Sequence, residues 1–203
     1  MSELLSGESI EHAVFAGEQL LLTGGLVEVA TEARRFHLEQ PDVEVLIFDE
    51  ATGKTVDLDL RCMPEELTAQ LRHLIKPTAS EDEAETVRGR GRPRLGVVPR
   101  EVTLLPRHWE WLGEQPGGAS VTLRKLVEEA KKANAGRDAK RKAQEACYRF
   151  MTTMAGDRAG FEEANRALFA GNREKFELEI AGWPEDVRGM ALKIGEVAFA
   201  PCN

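Results

Sequence analysis

The chain has 203 residues, of which 42% are hydrophobic and 31% charged, and its formal net charge is −8. This composition is typical of folded globular proteins and excludes a wholly disordered chain. No apolar run approaches 18 residues, and the opening MSELLSGESIEHA lacks a basic region followed by an apolar stretch. We therefore expect a cytoplasmic protein with neither a membrane span nor a secretory signal.

The charge is distributed unevenly along the chain. Residues 1–87 contain 6 Lys/Arg and 19 Asp/Glu, residues 88–149 contain 15 and 7, and residues 150–203 contain 6 and 9. Phosphate binding depends on local cationic density rather than on the total charge. The basic middle therefore fits a phosphate-binding segment, and it equally fits a basic linker that pairs with an acidic neighbour.

Residues 1–76 predict a small ββαββα-like domain of the α+β class. Its predicted elements are strands at 12–16 and 19–22, a helix from 26 to the proline at 41, strands at 43–48 and 55–60, and a helix beginning at 64. In the last strand the apolar Val56, Leu58 and Leu60 alternate with Asp57 and Asp59. We expect one small sheet that is covered by helices on one face.

Residues 77–94 have the composition of a linker that ends in a basic arm. They contain the acidic run SEDEAE and then the basic run RGRGRPR, with too little apolar surface to fold. Arg90-Gly91-Arg92-Pro93 matches the core of an AT-hook, in which glycine lets the backbone approach an A·T-rich minor groove and the arginines meet its negative potential. Arg90, Arg92 and Arg94 are therefore candidate DNA contacts, although plain solvated linkers have similar sequences.

Residues 95–135 predict a strand followed by two helices. A β-prone segment at 100–105 precedes Pro106, which suits the first turn of a helix, and Pro116-Gly117-Gly118 separates that helix from the next. We predict that Ser120 caps the second helix, whose apolar side chains recur at helical spacing at Leu123, Leu126, Val127 and Ala130.

This order of elements resembles a ribbon-helix-helix DNA-binding module. In such modules two chains intertwine, and their strands pair into a ribbon that enters the major groove. The resemblance implies a homodimer bound to duplex DNA. The candidate contacts that it implies, in addition to the arginine arm, are Arg100, Thr103, Ser120, Arg124 and Lys125.

The predicted strand departs from the family's polarity. The family's usual register buries Leu105 and turns the apolar Val102 and Leu104 toward DNA, whereas the other register leaves only Thr103 as a base contact. The segment therefore fits two alternatives. One is a strand used for dimer pairing without strong sequence readout, and the other is a module that has kept the shape without the function.

Residues 136–203 predict an all-helical segment. Apolar stripes at helical spacing predict its buried faces, Gly171 predicts a helix end, Asn172 predicts the next N-cap, and Pro184 predicts the start of the last helix. The three cysteines, Cys62, Cys147 and Cys202, are far apart and lack CxxC spacing, so we expect reduced thiols.

The whole chain also resembles a bacterial family of uncharacterised proteins known as a domain of unknown function. The resemblance rests mainly on residues 88–130, which include VPREVTLLPRHWEWL at 98–112 and GGASVTLRKLVEEA at 117–130. Support comes from FDEATG at 48–53, VDLDL at 56–60, FAG at 169–171 and GWP at 182–184. It implies no activity, and it transfers no catalytic residue to this chain.

Motifs for catalysis or cofactor binding are not found in the sequence. GxSxG, Walker A and GxGxxG patterns are missing, and the four histidines are scattered. The carboxylates of Asp49, Glu50, Asp57 and Asp59 could meet at a hairpin end around a divalent cation, but turn formation and solvation explain them equally well. We predict no enzyme, no cofactor and no metal site.

Two functional hypotheses follow from these observations. The first is a DNA-binding transcription regulator that uses the dimeric central module and the arginine arm, with the acidic N-terminal domain in a regulatory role. The second is a non-enzymatic interaction module whose basic middle docks on an acidic partner or on its own N-terminal domain.

Overall fold

The fold was determined from a computed structural model, which describes residues 11–75 and 100–200. The described part divides into two units. The first unit comprises the described residues within 1–76 and 136–203, and the second comprises those within 77–135. The N-terminal α+β segment and the C-terminal helical segment, which the sequence suggested as separate parts, therefore lie in the same unit.

The first unit contains a mixed set of strands and helices. Its strands are β1 (His12–Ala16), β2 (Gln19–Gly24), β3 (Val45–Asp49) and β4 (Lys54–Thr55), and its helices are α1 (Leu26–Glu39), α2 (Pro64–Ile75), the end of α4 (Gly118–Ala155), α5 (Phe161–Ala170), α6 (Arg173–Glu179), α7 (Glu185–Gly195) and a 3-10 helix (Glu196–Phe199). The other unit contains α3 (Pro106–Glu114) and the start of α4.

The four strands form an antiparallel sheet in the order β2-β1-β3-β4. Val14 of β1 lies in a core with residues of α1 and α2, whereas Ala13 and Phe15 lie in a second core with residues of α4 to α7. Both faces of the sheet are therefore covered, and the expectation of helices on one face was wrong. The contiguous apolar run in β1 is the sequence signal for burial on both faces.

The predicted strand at 55–60 is mostly irregular. Only Lys54 and Thr55 form β4, and in one further backbone bond the nitrogen of Val56 donates to the carbonyl of Ile47 at 2.8 Å. The predicted alternation nevertheless holds, because Val56, Leu58 and Leu60 pack against the α1–α2 core and the intervening aspartates are exposed. The alternating polarity therefore predicted correctly which side chains pack against the core. It did not predict correctly which residues form strand hydrogen bonds.

The end of α4 is anchored in the larger core by three phenylalanines. The ring centroid of Phe150 lies 4.9 Å from that of Phe48 and 5.6 Å from that of Phe15. The rings of Phe15 and Phe48 come from two strands, and Phe150 follows Phe48 by 102 positions in the chain. Their tilted and edge-on geometry suits the electrostatics of aromatic rings and fixes α4 against the sheet.

The C-terminal helices follow the sequence prediction. Gly171 ends α5 with a φ of 69°, and Asn172 caps α6 by accepting a bond from the backbone nitrogen of Lys175 at 3.0 Å. The predicted stripe of the last helix, Val187, Met190, Ala191 and Ile194, is buried. The indole nitrogen of Trp183 donates to the carbonyl of Ala159 at 3.0 Å, which holds the turn before α7.

Candidate nucleic-acid interface

The described residues of the central unit, 100–135, form very little core. Leu112 of α3 is 3% exposed and is the one hydrophobic side chain in this range that is fully buried. Several large apolar side chains are exposed instead, namely Val102, Leu105, Trp109, Trp111, Leu126 and Val127. A patch of this kind is typical of an interaction surface on a soluble protein.

An apolar cleft of about 250 Å³ opens on the same unit. It lies between α3 and the first turns of α4, and its lining residues are Leu104, His108, Trp111, Leu112, Leu123 and Leu126. Its walls are almost entirely hydrocarbon, with His108 as the one titratable residue among them. Such a cleft can accept an apolar side chain from a partner, and it offers few polar groups for a small polar ligand.

The predicted strand at 100–105 has no regular structure. Residues 101–105 have no strand hydrogen bonding, and α3 begins directly afterwards at Pro106. A strand requires a neighbour that accepts and donates backbone hydrogen bonds. The ribbon of the predicted dimer would supply that neighbour from a second copy, so its formation stays a prediction.

The cap predicted at Ser120 was wrong. Helix α4 begins at Gly118, so Ser120 lies inside the first turn, where its backbone carbonyl accepts a bond from Nε of Arg124 at 3.1 Å. Gly117 and Gly118 have φ values of 89° and 71°. Both glycines adopt the left-handed conformation in the turn that follows α3. Helix α4 therefore begins at Gly118 rather than after Ser120.

The candidate contact residues fall into two groups. Arg90, Arg92 and Arg94 lie outside the described residues. Arg100, Thr103, Ser120, Arg124 and Lys125 lie within them, and all five are exposed. The structure therefore leaves the three described cations open to a polyanion, with the guanidinium of Arg124 also bound to the backbone of its own helix.

Helix α4 carries exposed cations in addition to the candidate contacts Arg124 and Lys125. It runs unbroken for 38 residues, and none of its residues from 118 to 145 is buried. Gly136 is its weak point, but a single glycine costs only about 1 kcal/mol relative to alanine and the flanking residues favour helix. The helix therefore carries Lys131 and Lys132 as two further exposed cations of the central unit, which the strand-centred prediction missed.

The acidic turn between β3 and β4 is occupied by structural bonds. The carboxylate of Asp49 accepts bonds from the backbone nitrogens of Ala51 and Thr52 and from the Thr52 hydroxyl. Glu50 pairs with Nζ of Lys193 at 2.8 Å. Across residues 11–75 and 100–200, no three His, Cys, Asp or Glu side chains gather in a way that could hold a metal ion.

Comparison with known proteins places the chain in a family. A family model described as "Uncharacterized protein conserved in bacteria (DUF2239)" matches residues 11–195. The chain belongs to DUF2239. The match spans both units, so the DUF2239 domain includes the central unit as well as the sheet and its helices.

The other comparisons add no relative to the DUF2239 chain. No curated protein and no solved structure matches it. The family resemblance expected from the sequence blocks is confirmed, whereas the ribbon-helix-helix resemblance is not shown. None of the helices within the described ranges of the DUF2239 chain is long and apolar enough to span a membrane.

Proposed function

We propose that this DUF2239 protein is a bacterial DNA-binding protein that acts as a transcription regulator. In this proposal the central unit dimerises in a ribbon-helix-helix-like manner and contacts duplex DNA with Arg100, Arg124 and Lys125. The arginine arm at 88–94 enters a neighbouring A·T-rich minor groove. The protein has no catalytic role in this proposal.

The exposed apolar surface of the central unit carries the dimer part of the proposal. The described residues of the central unit bury one hydrophobic side chain fully, so they cannot exclude water from their apolar faces. A second copy would cover Trp109, Trp111 and Val127, which are 44%, 49% and 61% exposed. It would also give the segment at 100–105 a strand to pair with, which the ribbon requires.

The charge of the same region supports DNA as the ligand. Residues 88–149 contain 15 Lys/Arg and 7 Asp/Glu, although the chain as a whole is acidic. Arg100, Arg124 and Lys125 are exposed, so they can exchange their counterions for phosphates. Release of those counterions would make the affinity for duplex DNA fall steeply with salt.

Retention of labelled duplex DNA at several salt concentrations tests the proposal. We expect wild-type protein to bind at low salt, and we expect the triple variant Arg100→Gln, Arg124→Gln and Lys125→Gln to lose affinity and salt dependence. Loss of one phosphate contact should make the negative slope of log K against log salt shallower by about 0.9. Replacing Arg90 and Arg92 with alanine should reduce the affinity for A·T-rich duplexes more than the affinity for other duplexes.

The matched control is Arg35→Gln. Arg35 is an exposed arginine of α1 that pairs with Glu32 and Glu39, and it lies in the other unit. Its substitution should leave duplex binding unchanged. If wild-type protein retains no duplex at low salt but retains an acidic polypeptide, the DNA proposal is wrong and the interaction-module alternative replaces it.

Sedimentation of the full chain tests the dimer. We expect wild-type protein to sediment as a dimer, and Val127→Glu to shift it to a monomer because the charge would be buried in the interface. Leu38→Glu provides the control, since Leu38 is 56% exposed on α1 of the other unit. A wild-type monomer at high concentration would contradict the dimer.

A further inference from the structure

A cationic and aromatic surface lies on the unit that contains the sheet. It is formed by the face of α4 that carries Arg137, Arg141, Gln144 and Tyr148, together with Phe169 at the end of α5. The four α4 positions are spaced at i, i+4, i+7 and i+11, which places them along one side of a helix. We call this set the Tyr148 face.

Contacts between α4 and α5 fix the Tyr148 face. The amide nitrogen of Gln144 donates to the carbonyls of Leu168 and Phe169 at 3.0 and 3.2 Å. The ring of Tyr148 lies 6.1 Å from the ring of Phe169 at an angle of 59°. Because Gln144 satisfies carbonyls at the α5 terminus, it holds the two rings in place relative to each other.

Both rings remain accessible to solvent. Tyr148 is 41% exposed and Phe169 is 52% exposed. Core packing does not explain them, since the neighbouring Cys147 and Phe150 of α4 supply the buried side chains. Paired exposed aromatics next to cations are the chemistry that proteins use to stack unpaired bases.

Four cations closely precede Tyr148 on α4. Residues 136–142 contain Arg137, Lys140, Arg141 and Lys142 against the one acid Asp138. Asp138 pairs with Arg141 at 3.2 Å, but both side chains are about half exposed or more, and such a pair is weak in water. The side chain of Lys140 lies over Gly171, directly after the end of α5.

The spacing of these groups suits a short run of a single strand. Seven residues separate Arg141 from Tyr148, which corresponds to about 10 Å along the helix axis. A duplex would hide the faces of its bases, whereas an unpaired strand can place bases on the rings and phosphates on the arginines. The Tyr148 face therefore favours unpaired over paired nucleic acid.

We propose that the Tyr148 face, together with the adjacent Lys140, binds single-stranded nucleic acid. Tyr148 and Phe169 stack on bases, and Arg137, Lys140 and Arg141 contact phosphates. The proposal does not rest on duplex binding by the central unit. It assigns a second and separate nucleic-acid surface to the protein.

Fluorescence anisotropy of labelled oligothymidylate and oligouridylate, titrated with the full chain at low salt, tests this proposal. We expect wild-type protein to bind one or both oligomers. Tyr148→Ala and Phe169→Ala should each weaken binding about tenfold, and Tyr148→Phe should preserve it because the stacking ring remains. Arg141→Gln should make the negative slope of log K against log salt shallower by about 0.7.

Matched controls separate stacking from general damage to the fold. Leu38→Ala removes a side chain of similar exposure from α1, and Arg35→Gln removes an ion-paired arginine from the same helix. Helix α1 packs on the opposite face of the sheet from the α4 core, so neither should alter binding. Tyr148→Leu keeps an apolar contact with Phe169 and should weaken binding as Tyr148→Ala does.

Three outcomes would overturn the proposal. The first is no binding of either oligomer by wild-type protein at low salt. The second is equal affinity of the wild-type, Tyr148→Leu and Phe169→Ala proteins. The third is displacement of the oligomer by polyglutamate at equal charge, which would identify the face as a docking surface for acidic proteins. A wild-type protein that binds the oligomers but no duplex DNA would support single-strand binding by the Tyr148 face. It would contradict duplex binding by the central unit.

Discussion

Gly53 lies against the backbone of Ala146. A Cβ built on Gly53 would stand 1.9 Å from the carbonyl oxygen of Ala146, and Gly53 itself has a φ of 65°. The backbone of the turn between β3 and β4 therefore packs directly against the backbone of α4, with no side chain between them. Nη1 of Arg149 adds a bond to the carbonyl of Thr52 at 3.0 Å, so turn and helix are joined at two neighbouring points.

Substitution of Gly53 should lower the free energy of unfolding far more than substitution of Gly17, another glycine with a positive φ. We expect Gly53→Ala to destabilise the protein by at least about 3 kcal/mol, because a helix backbone would have to move. Gly17 has a φ of 56° and open space around its Cβ position, so Gly17→Ala should cost only about 1–2 kcal/mol of backbone strain. Urea unfolding of both variants measures the difference, and equal losses would contradict the close approach.

The contact between Phe48 and Phe150 should be measurable as a coupling. Their ring centroids are 4.9 Å apart, and both side chains are fully buried. Replacing either with leucine should destabilise the protein, and the double variant should lose less than the two single losses together. We expect a coupling free energy of about 1 kcal/mol from a double-mutant cycle. Additive losses would show that α4 is not held by these rings.

Much of the first unit was predictable because local patterns and tertiary structure agree there. The strand at 12–16, the start of α1 at Leu26 and the cap at Asn172 were each predicted from a few residues. Apolar periodicity also identified the partly buried side chains at 56, 58 and 60, which pack against the α1–α2 core, although hydrogen bonding there is irregular. In these segments each local signal specifies the same structure as the packing does.

Long-range relationships could not be predicted in the same way. Nothing local indicates that Phe15 and Phe48 meet Phe150, because the contact depends on how the chain returns to the sheet. The continuity of α4 across Gly136 depends on small free-energy differences that a boundary prediction does not resolve. The Tyr148 face was missed because Tyr148 and Phe169 belong to different helices and share no sequence motif.

Because of Lys193, the stability of the first unit should fall as the pH rises in the alkaline range. Its Nζ lies 3.0 Å from the carboxylate of Glu11 and 2.8 Å from that of Glu50. Burial alone would lower the pKa of Lys193, but the hydrogen bonds to Glu50 and Glu11 outweigh it and raise the pKa. The stabilisation is therefore complete below the unfolded-state pKa and is lost as the pH rises through the folded-state value.

Lys193→Gln isolates this contribution. Because Lys193 is about half exposed, we expect a loss of about 1 kcal/mol or less at neutral pH. The difference between wild-type and variant stability should shrink toward zero above pH 10.5, the ordinary lysine value. Lys175→Gln, on an exposed lysine that pairs with Glu163 at 3.5 Å, serves as the control. A difference that persists at high pH would contradict the ion-pair explanation.

Cys147 should be inert toward thiol reagents in the folded protein. Its side chain is fully buried, its Sγ donates to the carbonyl of Ala191 at 3.3 Å, and burial raises its pKa to about 12. Since the thiolate is the reactive form, maleimide at neutral pH should label Cys147 only after unfolding, whereas the half-buried Cys62 should react faster.

Mass spectrometry of labelled peptides distinguishes these two cysteines, and urea provides the unfolded reference. The raised pKa also predicts a pH effect with a definite sign. The unfolded thiol ionises near pH 9.0 and the folded thiol near 12, so the stability contributed by Cys147 should decline as the pH rises between these values. Cys147→Ala should lack this part of the decline and should keep the part that is due to Lys193. Rapid labelling of Cys147 under native conditions would show that the α4–α7 contact opens readily.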